Sequence, residues 1–333
     1  MRILIILKYC YLGDAIVSLP LIKGVHRQWP DAELTVLSCK GAKIVLSLDP
    51  ELEGVNVVPY GPNSTLRNAK NSRKITADSF RFAWQERRKG GFDIIFLVHR
   101  SFRTGLTAML CKGRRRVGFK HDGRGFMLTD HILFDKCKQE SESTLGLLQL
   151  LAPDFHGEPW PNRPVLNFDP ARIPPTPGFP PPGDGPLIGM QPGASNVPKR
   201  WPLDRMATLA DALVERHNAR IVLIGGPDER EPADVMLRHM KHPVAFDATG
   251  EKFPETVRMM SQLAVYIGND TGLNHLAAAA GSPTVCLFGP TVAQKWGRHY
   301  EPHRVVVSRD GTMEGLPLED ALKAAEDLIG GPR

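Results

Sequence analysis

The sequence predicts an α/β protein made of two doubly wound domains. Short β-branched runs alternate with helical stretches in the first half of the chain, and the alternation restarts after a proline-rich segment. This pattern is typical of a parallel sheet with helices on its faces. A length of 333 residues with 42% hydrophobic composition is sufficient for two separate cores.

A proline-rich segment divides the chain into two halves. Eleven prolines lie between Pro159 and Pro186, a density that forbids a regular element and indicates a linker. We therefore expect an N-terminal domain at 1–160, a linker at 161–186 and a C-terminal domain at 187–333. In the first domain we expect helices at Ala15–Gln28 and Ser79–Lys89, and strands at Arg2–Leu7, Glu33–Leu37, Gly54–Val58 and Asp93–Val98.

The second domain repeats the same order of elements. We expect its strands at Leu187–Met190, Ala219–Ile224, Leu263–Ile267 and Thr284–Phe288, and its helices at Leu203–Arg216, Arg230–Met240, from Thr271 onward and at Leu318–Leu328. Doubly wound domains bind ligands outside the carboxyl ends of their strands. The functional residues should therefore converge on a cleft that faces those ends of both sheets.

Positive charge is concentrated in the first half of the chain. Residues 1–168 hold 25 Lys and Arg against 16 Asp and Glu, or +9, and the overall charge of +6 leaves −3 for residues 169–333. An acidic lipid headgroup, a phosphorylated sugar or a nucleic acid would fit this excess, but no stacking motif or helix-turn-helix pattern favours nucleic acid. A solvated basic face explains any single cluster equally well.

The cysteines and the apolar runs bear on the cellular compartment. The five cysteines are scattered, without a C-x-x-C pair, which indicates reduced thiols in a cytoplasmic protein. The opening run Ile3–Leu7 is too short for a signal-peptide core, and no apolar run approaches the length that spans a membrane. We expect neither secretion nor membrane insertion.

The segment Gly268–Pro283 predicts a strand end, a polar turn and a helix of small residues. Asp270 and Thr271 are residue types that cap a helix start, and the first amides of such a helix face an anion with the positive end of its dipole. Thr271 and His275, four residues apart, share one face of the helix. The pattern suits a diphosphate, although an ordinary capped helix with a surface histidine explains it as well.

Other polar loops follow the predicted strands. Asp14 follows the first strand and can accept a proton from an attacking hydroxyl, or can simply cap a helix. Lys199 can place a positive charge on a phosphate, and Glu229 can accept hydrogen bonds from ribose. Residues 247–250 form a fourth loop in this interpretation. Neither half carries a G-x-G-x-x-G or Walker-type motif, which argues against classical dinucleotide and P-loop enzymes.

Taken together, these motifs resemble glycosyltransferase family 9, the lipopolysaccharide heptosyltransferases. The most specific is Asp-Thr-Gly-x-x-His at 270–275, and the likeness covers nearly the whole chain in the right order. The other matching motifs are Leu12-Gly13-Asp14, Lys199-Arg200-Trp201-Pro202 and Gly225-Gly226-Pro227-x-Glu229.

The resemblance implies a GT-B fold, in which two Rossmann-like domains face a central cleft, and a cytoplasmic enzyme without cofactor or metal. The chain contains no Asp-x-Asp motif of the metal-binding sort. The implied reaction transfers heptose from ADP-heptose, with inversion, to a hydroxyl of an acidic inner-core glycan or glycolipid. Contact with the cytoplasmic face of the inner membrane is also expected, and binding of nucleic acid is not.

The resemblance also assigns roles by position. Asp14 is implied as the general base, and Lys199 as the second catalytic residue. The implied donor-binding residues are Ser195, Lys199, Gly226, Glu229, Thr249, Asp270, Thr271, Gly272 and His275. The implied acceptor-binding residues are Gly13, Arg67, Lys70, Arg116 and Lys120.

One departure from the family pattern concerns the acceptor. Two serines commonly precede Leu-Gly-Asp in heptosyltransferases, whereas this chain has Tyr9-Cys10-Tyr11. The sequence is therefore also compatible with a protein or natural-product acceptor, or with another nucleotide-sugar donor. Two other classes of protein are compatible with it as well: a nucleotide-sugar epimerase, which would not need the basic surface, and a non-catalytic sugar-nucleotide sensor, which would not need Asp14.

Overall fold

The chain forms two compact units, Met1–Asn167 and Phe168–Arg333. The computed structural model describes residues 1–7, 12–60, 69–121, 123–155, 163–181 and 183–330, and for 69–75 the backbone alone. The boundary between the units falls inside the predicted linker. The described part of that linker contains one short helical turn, Pro170–Arg172.

The first unit is built on a six-stranded parallel sheet with the strand order β3-β2-β1-β4-β5-β6. In this order the chain reverses direction across the sheet between β1 and β4, which places their carboxyl ends at the switch point. The strands are β1 Arg2–Ile6, β2 Glu33–Ser38, β3 Asn56–Pro59, β4 Ile94–Leu97, β5 Arg115–Lys120 and β6 Asp130–Leu133.

Six helices of the described residues accompany this sheet. They are α1 Leu12–Val17, α2 Leu19–Gln28, α3 Lys40–Leu46, α4 Ala69–Arg88, α5 Phe102–Leu110 and α6 Glu140–Gln149. The sequence predicts a single helix at Ala15–Gln28, and this prediction is wrong, because α1 ends at Val17 and α2 begins at Leu19. Pro20 explains the break, because proline lacks an amide hydrogen and its ring clashes with the preceding helical turn.

The second unit repeats the architecture with the strand order β12-β11-β10-β7-β8-β9, all parallel. Its switch point lies between β7 and β10. The strands are β7 Leu187–Gln191, β8 Arg220–Gly225, β9 Phe246–Thr249, β10 Val265–Asn269, β11 Thr284–Phe288 and β12 His303–Val307. The sequence interpretation of 247–250 as a loop is wrong, because residues up to Thr249 pair with β8.

The helices of the second unit cover its sheet. Leu209, Ala210 and Leu213 of α7 are fully buried in a core formed with the strands. Ala277 and Ala279 of α10 are also buried, as expected of a helix packed closely on its sheet. The helices are α7 Leu203–His217, α8 Arg230–His239, α9 Phe253–Met260, α10 Gly272–Ala279, α11 Ala293–Trp296 and α12 Leu318–Ile329. None of the helices described in the chain is both long and apolar enough to span a lipid bilayer.

Candidate active site

The carboxyl ends of β7 and β10 lie side by side in the second sheet. Gln191, the last residue of β7, is paired with Gly268 near the end of β10. The loop after β7 carries Lys199, and the turn after β10 carries Asp270 and Thr271. The residues that the sequence predicts for the diphosphate therefore meet at the switch point of this sheet.

The start of α10 offers backbone amides to an anion. Thr271 occupies the N-cap position with an extended backbone, but its hydroxyl does not cap the helix. The hydroxyl instead donates to Oε1 of Gln191 at 2.6 Å. Among the described residues, no side chain accepts a bond from the first-turn amides of α10, so their N–H groups and the helix dipole can face a phosphate.

Lys199 and Asp270 form a partly buried ion pair beside these amides. Nζ of Lys199 lies 2.8 Å from Oδ2 of Asp270 and 3.2 Å from its backbone oxygen. The Asp270 side chain is 7% exposed, whereas that of Lys199 is 27% exposed. The carboxylate thus holds the lysine in place, while one side of the ammonium still faces solvent.

His275 completes a row of three groups at the start of α10. Its Nε2 lies 3.9 Å from Oδ1 of Asp270, and its Nδ1 lies 2.8 Å from Nη1 of Arg298. Burial, followed by the positive charge of Arg298, lowers the pKa of His275 to about 3. Because the guanidinium can only donate, Nδ1 is the acceptor, and the neutral ring carries its proton on Nε2.

Arg298 is a buried cation held by neutral acceptors. Besides His275 it donates to Oδ1 of Asn274 and, at 3.4 Å, to Oγ1 of Thr284. No carboxylate of the described residues lies within ion-pair distance of its guanidinium. A buried charge without a counter-charge is costly, so this arrangement favours the arrival of an anion nearby.

Gln191 links the start of α10 to Glu229. Its Nε2 donates to Oε1 of Glu229 at 2.9 Å, and its Oε1 accepts from Thr271 and, at 3.3 Å, from the hydroxyl of Tyr266. The other carboxylate oxygen of Glu229 accepts from the amide of Gly226 at 2.8 Å. Burial raises the pKa of Glu229 against the lowering effect of these bonds. One amide side chain therefore fixes two predicted donor-binding groups.

Asn269 holds the loop that carries Lys199 in place by hydrogen bonds to its backbone. It accepts a bond from the backbone amide of Trp201 at 3.0 Å and donates to the backbone oxygen of Gly193 at 3.0 Å. The indole of Trp201 is fully buried and donates to the backbone oxygen of Leu316 at 3.2 Å. Both ends of the loop are thus attached to the core, which restricts where the lysine can lie.

Two further predicted donor residues border this cluster. Thr249 ends β9, next to Gly225 of β8. Its hydroxyl is buried and has no hydrogen-bond partner among the described residues. An unsatisfied buried hydroxyl costs about 1–3 kcal/mol, which a ligand group would offset. Ser195 lies exposed on the loop after β7.

In the first unit, Gly13 and Asp14 lie in α1, the first helix after β1. Asp14 is in the first turn of α1, and its backbone oxygen accepts from the hydroxyl of Ser18 at 2.7 Å. It is a helical residue and does not occupy the N-cap position. Helix α1 contacts α3, which begins just after β2, so Asp14 lies near the carboxyl end of the sheet.

Lys120, the last residue of β5, borders a cavity of about 560 Å³. The cavity lies at the carboxyl ends of β5 and β6, and its lining combines cationic or titratable groups with exposed apolar ones. The lining residues are Lys120, His121, Gly123, Gly125, Phe126, His131 and Leu133. Such a mixture suits a sugar that carries an anionic group.

The remaining predicted acceptor residues are placed differently. Arg116 is paired with Ile95, toward the amino end of the sheet, and donates to the backbone oxygens of Gly113 and Met127 at 2.7 and 2.6 Å. It therefore lies away from Lys120 and holds its own loop together. Arg67 falls outside the described residues, and Lys70 lies in α4 in the stretch where only the backbone is described.

Gln191 and Arg298 belong to the candidate site but were not predicted from the sequence. Each contacts partners far away in the chain: 38 residues separate Gln191 from Glu229, and 23 separate Arg298 from His275. Only the position of Gln191 at a strand end gave a signal. Within the described residues, no group of three or more His, Cys, Asp or Glu side chains is arranged to hold a metal ion.

The low pKa of His275 has a consequence for stability. Unfolded histidine binds a proton below about pH 6.5, while His275 in the fold stays neutral to about pH 3, so unfolding takes up a proton in this window. We expect the free energy of unfolding to fall between pH 6.5 and 5 by up to about 1.4 kcal/mol per pH unit from this residue. The replacement His275→Asn, which still offers Arg298 an acceptor, should remove this slope.

Urea titrations at several pH values would measure how the free energy of unfolding depends on pH. The exposed His239→Asn is the matched control and should keep the slope of the unmodified protein. Equal slopes in His275→Asn and His239→Asn would contradict the neutral, buried state of His275.

Comparisons with known proteins agree with this architecture. Residues 81–323 match the model of glycosyltransferase family 9 (heptosyltransferase). The chain is 24% identical to lipopolysaccharide heptosyltransferase 3 of Escherichia coli, over 95% of this chain and 96% of that protein. Two solved structures, each 21% identical to this chain, share the GT-B fold. The family 9 glycosyltransferase of Veillonella parvula matches with a TM-score of 0.79, over 98% of this chain and 97% of that one. The ADP-heptose lipopolysaccharide heptosyltransferase II of E. coli matches with a TM-score of 0.76, over 99% of this chain and 98% of that one. The chain therefore belongs to glycosyltransferase family 9, the heptosyltransferase family.

Proposed function

We propose that this glycosyltransferase moves a heptose from ADP-heptose to a hydroxyl of an acidic glycan of the lipopolysaccharide inner-core type, in the cytoplasm. The observation that supports it most is the cluster at the start of α10, where free amides, Lys199 and a neutral His275 surround one position. The names of the relatives supply the choice of heptose and of lipopolysaccharide. The groups present explain how such a donor would react.

The cluster is suited to a diphosphate leaving group. Lys199 and Arg298 each carry one positive charge, Asp270 carries one negative charge, and His275 is neutral, which leaves a net charge of about +1 before the helix dipole is added. Negative charge grows on the diphosphate as the bond to the sugar breaks. Fixed donors and cations around it stabilise that charge without having to reorganise.

The nucleoside end of the donor fits the neighbouring strand ends. Each carboxylate oxygen of Glu229 accepts one hydrogen bond from the protein, so each keeps a lone pair for a ribose hydroxyl. The unpartnered hydroxyl of Thr249 lies across β8 and can bind the base or the sugar. Ser195, exposed on the loop after β7, is assigned to the donor on the family resemblance alone.

Asp14 is the proposed general base. Its carboxylate takes the proton of the acceptor hydroxyl, the acceptor oxygen bonds to the anomeric carbon, and ADP leaves with the electron pair of the broken bond. Attack from the side opposite the leaving group inverts the anomeric centre. No step assigned to these residues calls for a metal ion or a cofactor.

The donor assignment is tested by a thermal-shift screen across ADP-, GDP- and UDP-sugars. A ligand at a hundredfold excess over its Kd stabilises the fold by about 2.7 kcal/mol, or roughly 5–10 °C in Tm for a unit of this size. We expect ADP-heptose to give the largest rise and Lys199→Met to reduce it. The exposed Lys323→Met is the control. A larger shift with UDP-sugars would overturn the donor assignment.

The role of Asp14 is tested by Asp14→Asn, which keeps the shape of the side chain and removes the base. Loss of a general base lowers rates by about 10²–10⁴-fold. We expect kcat to fall by this factor while the Kd for ADP measured by calorimetry stays unchanged. An active Asp14→Asn enzyme would remove this residue from the chemistry.

The acceptor assignment distinguishes Lys120 from Arg116. Removing one charged contact costs about 1.5–3 kcal/mol, so Lys120→Gln should raise the acceptor KM roughly 10- to 100-fold with little change in the donor KM. Arg116→Gln should leave both KM values near those of the unmodified enzyme, because its guanidinium is engaged by backbone oxygens. Equal effects of the two replacements on the acceptor KM would contradict the placement of the acceptor at the cavity.

An epimerase is the second candidate, because it would use the same donor cluster. It would convert the nucleotide sugar without an acceptor, so isomerised donor should form when donor is incubated alone. The cavity at Lys120 argues against it, since an epimerase has no acceptor to place there.

A further inference from the structure

His275 carries a hydrogen-bond donor for which the described residues supply no acceptor. The residue is 7% exposed, and its Nδ1 accepts a bond from the guanidinium of Arg298. Nε2, which then carries the proton, lies 3.9 Å from Oδ1 of Asp270, too far for a hydrogen bond. No other acceptor of the described residues bonds to Nε2. A buried N–H group is therefore directed toward Asp270 and Lys199 without a partner.

Arg298 fixes the orientation of this ring through two adjacent residues of α10. Its Nη1 donates to Nδ1 of His275 at 2.8 Å, and its Nη2 donates to Oδ1 of Asn274. The amide nitrogen of Asn274 donates in turn to the backbone oxygens of Gly268 in β10 and Val285 in β11, at 3.3 and 3.2 Å. The start of α10 is thereby attached to two strands of the sheet.

Further contacts restrict both the ring and the guanidinium. The ring centre of Trp296 lies 6.3 Å from that of His275, with an angle of 60° between the rings. Arg298 is 6% exposed, and its Nε reaches Oγ1 of Thr284 in β11 at 3.4 Å. A planar guanidinium, with its N–H groups in a fixed fork, suits such simultaneous bonds better than a lysine ammonium. Because Arg298 is buried and engaged in this way, it acts on a ligand through His275.

We propose that Arg298 is a positioning residue of the reaction, which holds His275 so that the Nε2–H group donates a hydrogen bond to the diphosphate of the donor. The proton stays on Nε2, and ADP leaves unprotonated with the electron pair of the broken bond. A donor that is already in place stabilises the growing negative charge without reorganising. This inference rests on the proposed function, because it assumes that a diphosphate lies beside Lys199 at the start of α10.

The charges around the ring agree with a donor that does not titrate. Burial lowers the pKa of His275 most, and the positive charge of Arg298 has the next largest effect. Of the two other charged groups that face the ring, Asp270 raises this pKa and Lys199 lowers it. Cys286, the buried thiol beside Arg298, stays neutral because burial raises its pKa. The ring therefore offers the same N–H group throughout the neutral pH range.

NMR of the full chain with ¹⁵N-labelled histidine tests the state of the ring without any donor. The signals of His275 are those that disappear in His275→Asn. We expect a bare Nδ1 and a protonated Nε2, in a pattern that does not change between about pH 8 and 5, where an ordinary histidine titrates. In Arg298→Met the pattern should change and the ring should titrate at a higher pH, because the variant removes both the bond to Nδ1 and the positive charge.

A double-mutant cycle tests whether Arg298 acts through His275. Loss of one fixed donor lowers kcat by about 10²–10³-fold, and we expect such a fall in Arg298→Met and in His275→Asn, whose amide cannot reach the position of Nε2. In the His275→Asn background, Arg298→Met should lower kcat by less than about threefold, because the two residues act as a unit. Circular dichroism spectra would verify that each variant is folded.

Arg304→Met is the matched control for both measurements. Arg304 lies six residues further along the same unit, and its guanidinium pairs with the exposed Glu301 at 2.8 Å. The control should keep the histidine signals and the kcat of the unmodified protein.

Three results would overturn the proposal. The first is a His275 ring that is charged or protonated on Nδ1 at neutral pH in the unmodified protein, a result that requires no variant to fold. The second is an unchanged His275 signal in Arg298→Met. The third is a loss of kcat by the same factor in both backgrounds, which would indicate an independent structural role. Absence of heptose transfer by the unmodified protein would instead refute the proposed function, and the NMR spectra would still decide how Arg298 holds the ring.

Discussion

The guanidinium of Arg298 sets the electrostatics at the end of β10. It is buried among neutral acceptors, and it fixes which nitrogen of His275 carries the proton. Burial of the ring, followed by the charge of Arg298, keeps His275 neutral by lowering its pKa. The opposite charges of Lys199 and Asp270 sum to zero. The remaining positive charge therefore belongs to Arg298, which is buried. A charge in such a site is weakly screened, and it acts on any anion at the start of α10 more strongly than a surface lysine could.

The sheets explain why the chemistry gathers where it does. All ladders in the described chain are parallel, so polar loops leave every strand at the same edge. The reversal of strand order between β7 and β10 opens a gap at that edge, and side chains from both sides meet there. Gln191 stabilises this site by hydrogen bonds to Thr271 and Glu229. Asn269 stabilises it by hydrogen bonds to the backbone of the loop that carries Lys199.

Much of this could be predicted from sequence, because local patterns carry it. The alternation of strands and helices predicts the fold class, and the motif at 270–275 predicts the start of α10. Short edge elements such as β6 and β12 were not predicted, since four or five residues with polar neighbours resemble a loop. The break at Pro20 is visible in the sequence, because proline disfavours a helix interior, yet the predicted helix at Ala15–Gln28 runs through it.

Contacts between distant residues could not be predicted in the same way. Nothing local marks Arg298 as the partner of His275, and nothing in the run 114–116 shows that Arg116 lies toward one end of a strand while Lys120 ends the same strand at the other. The strand register decides that difference. A basic cluster in sequence is therefore divided by the fold between a structural role and a candidate binding role.

Each unit encloses its own core and its own switch point. A substitution that reshapes the cavity near β6 acts within the first unit, because the residues that line this cavity all belong to that unit. Under the proposed function, recognition of the acceptor can consequently diverge during evolution while activation of the nucleotide stays constant. In that function, a lineage that meets a new acceptor needs to revise only one of its two scaffolds.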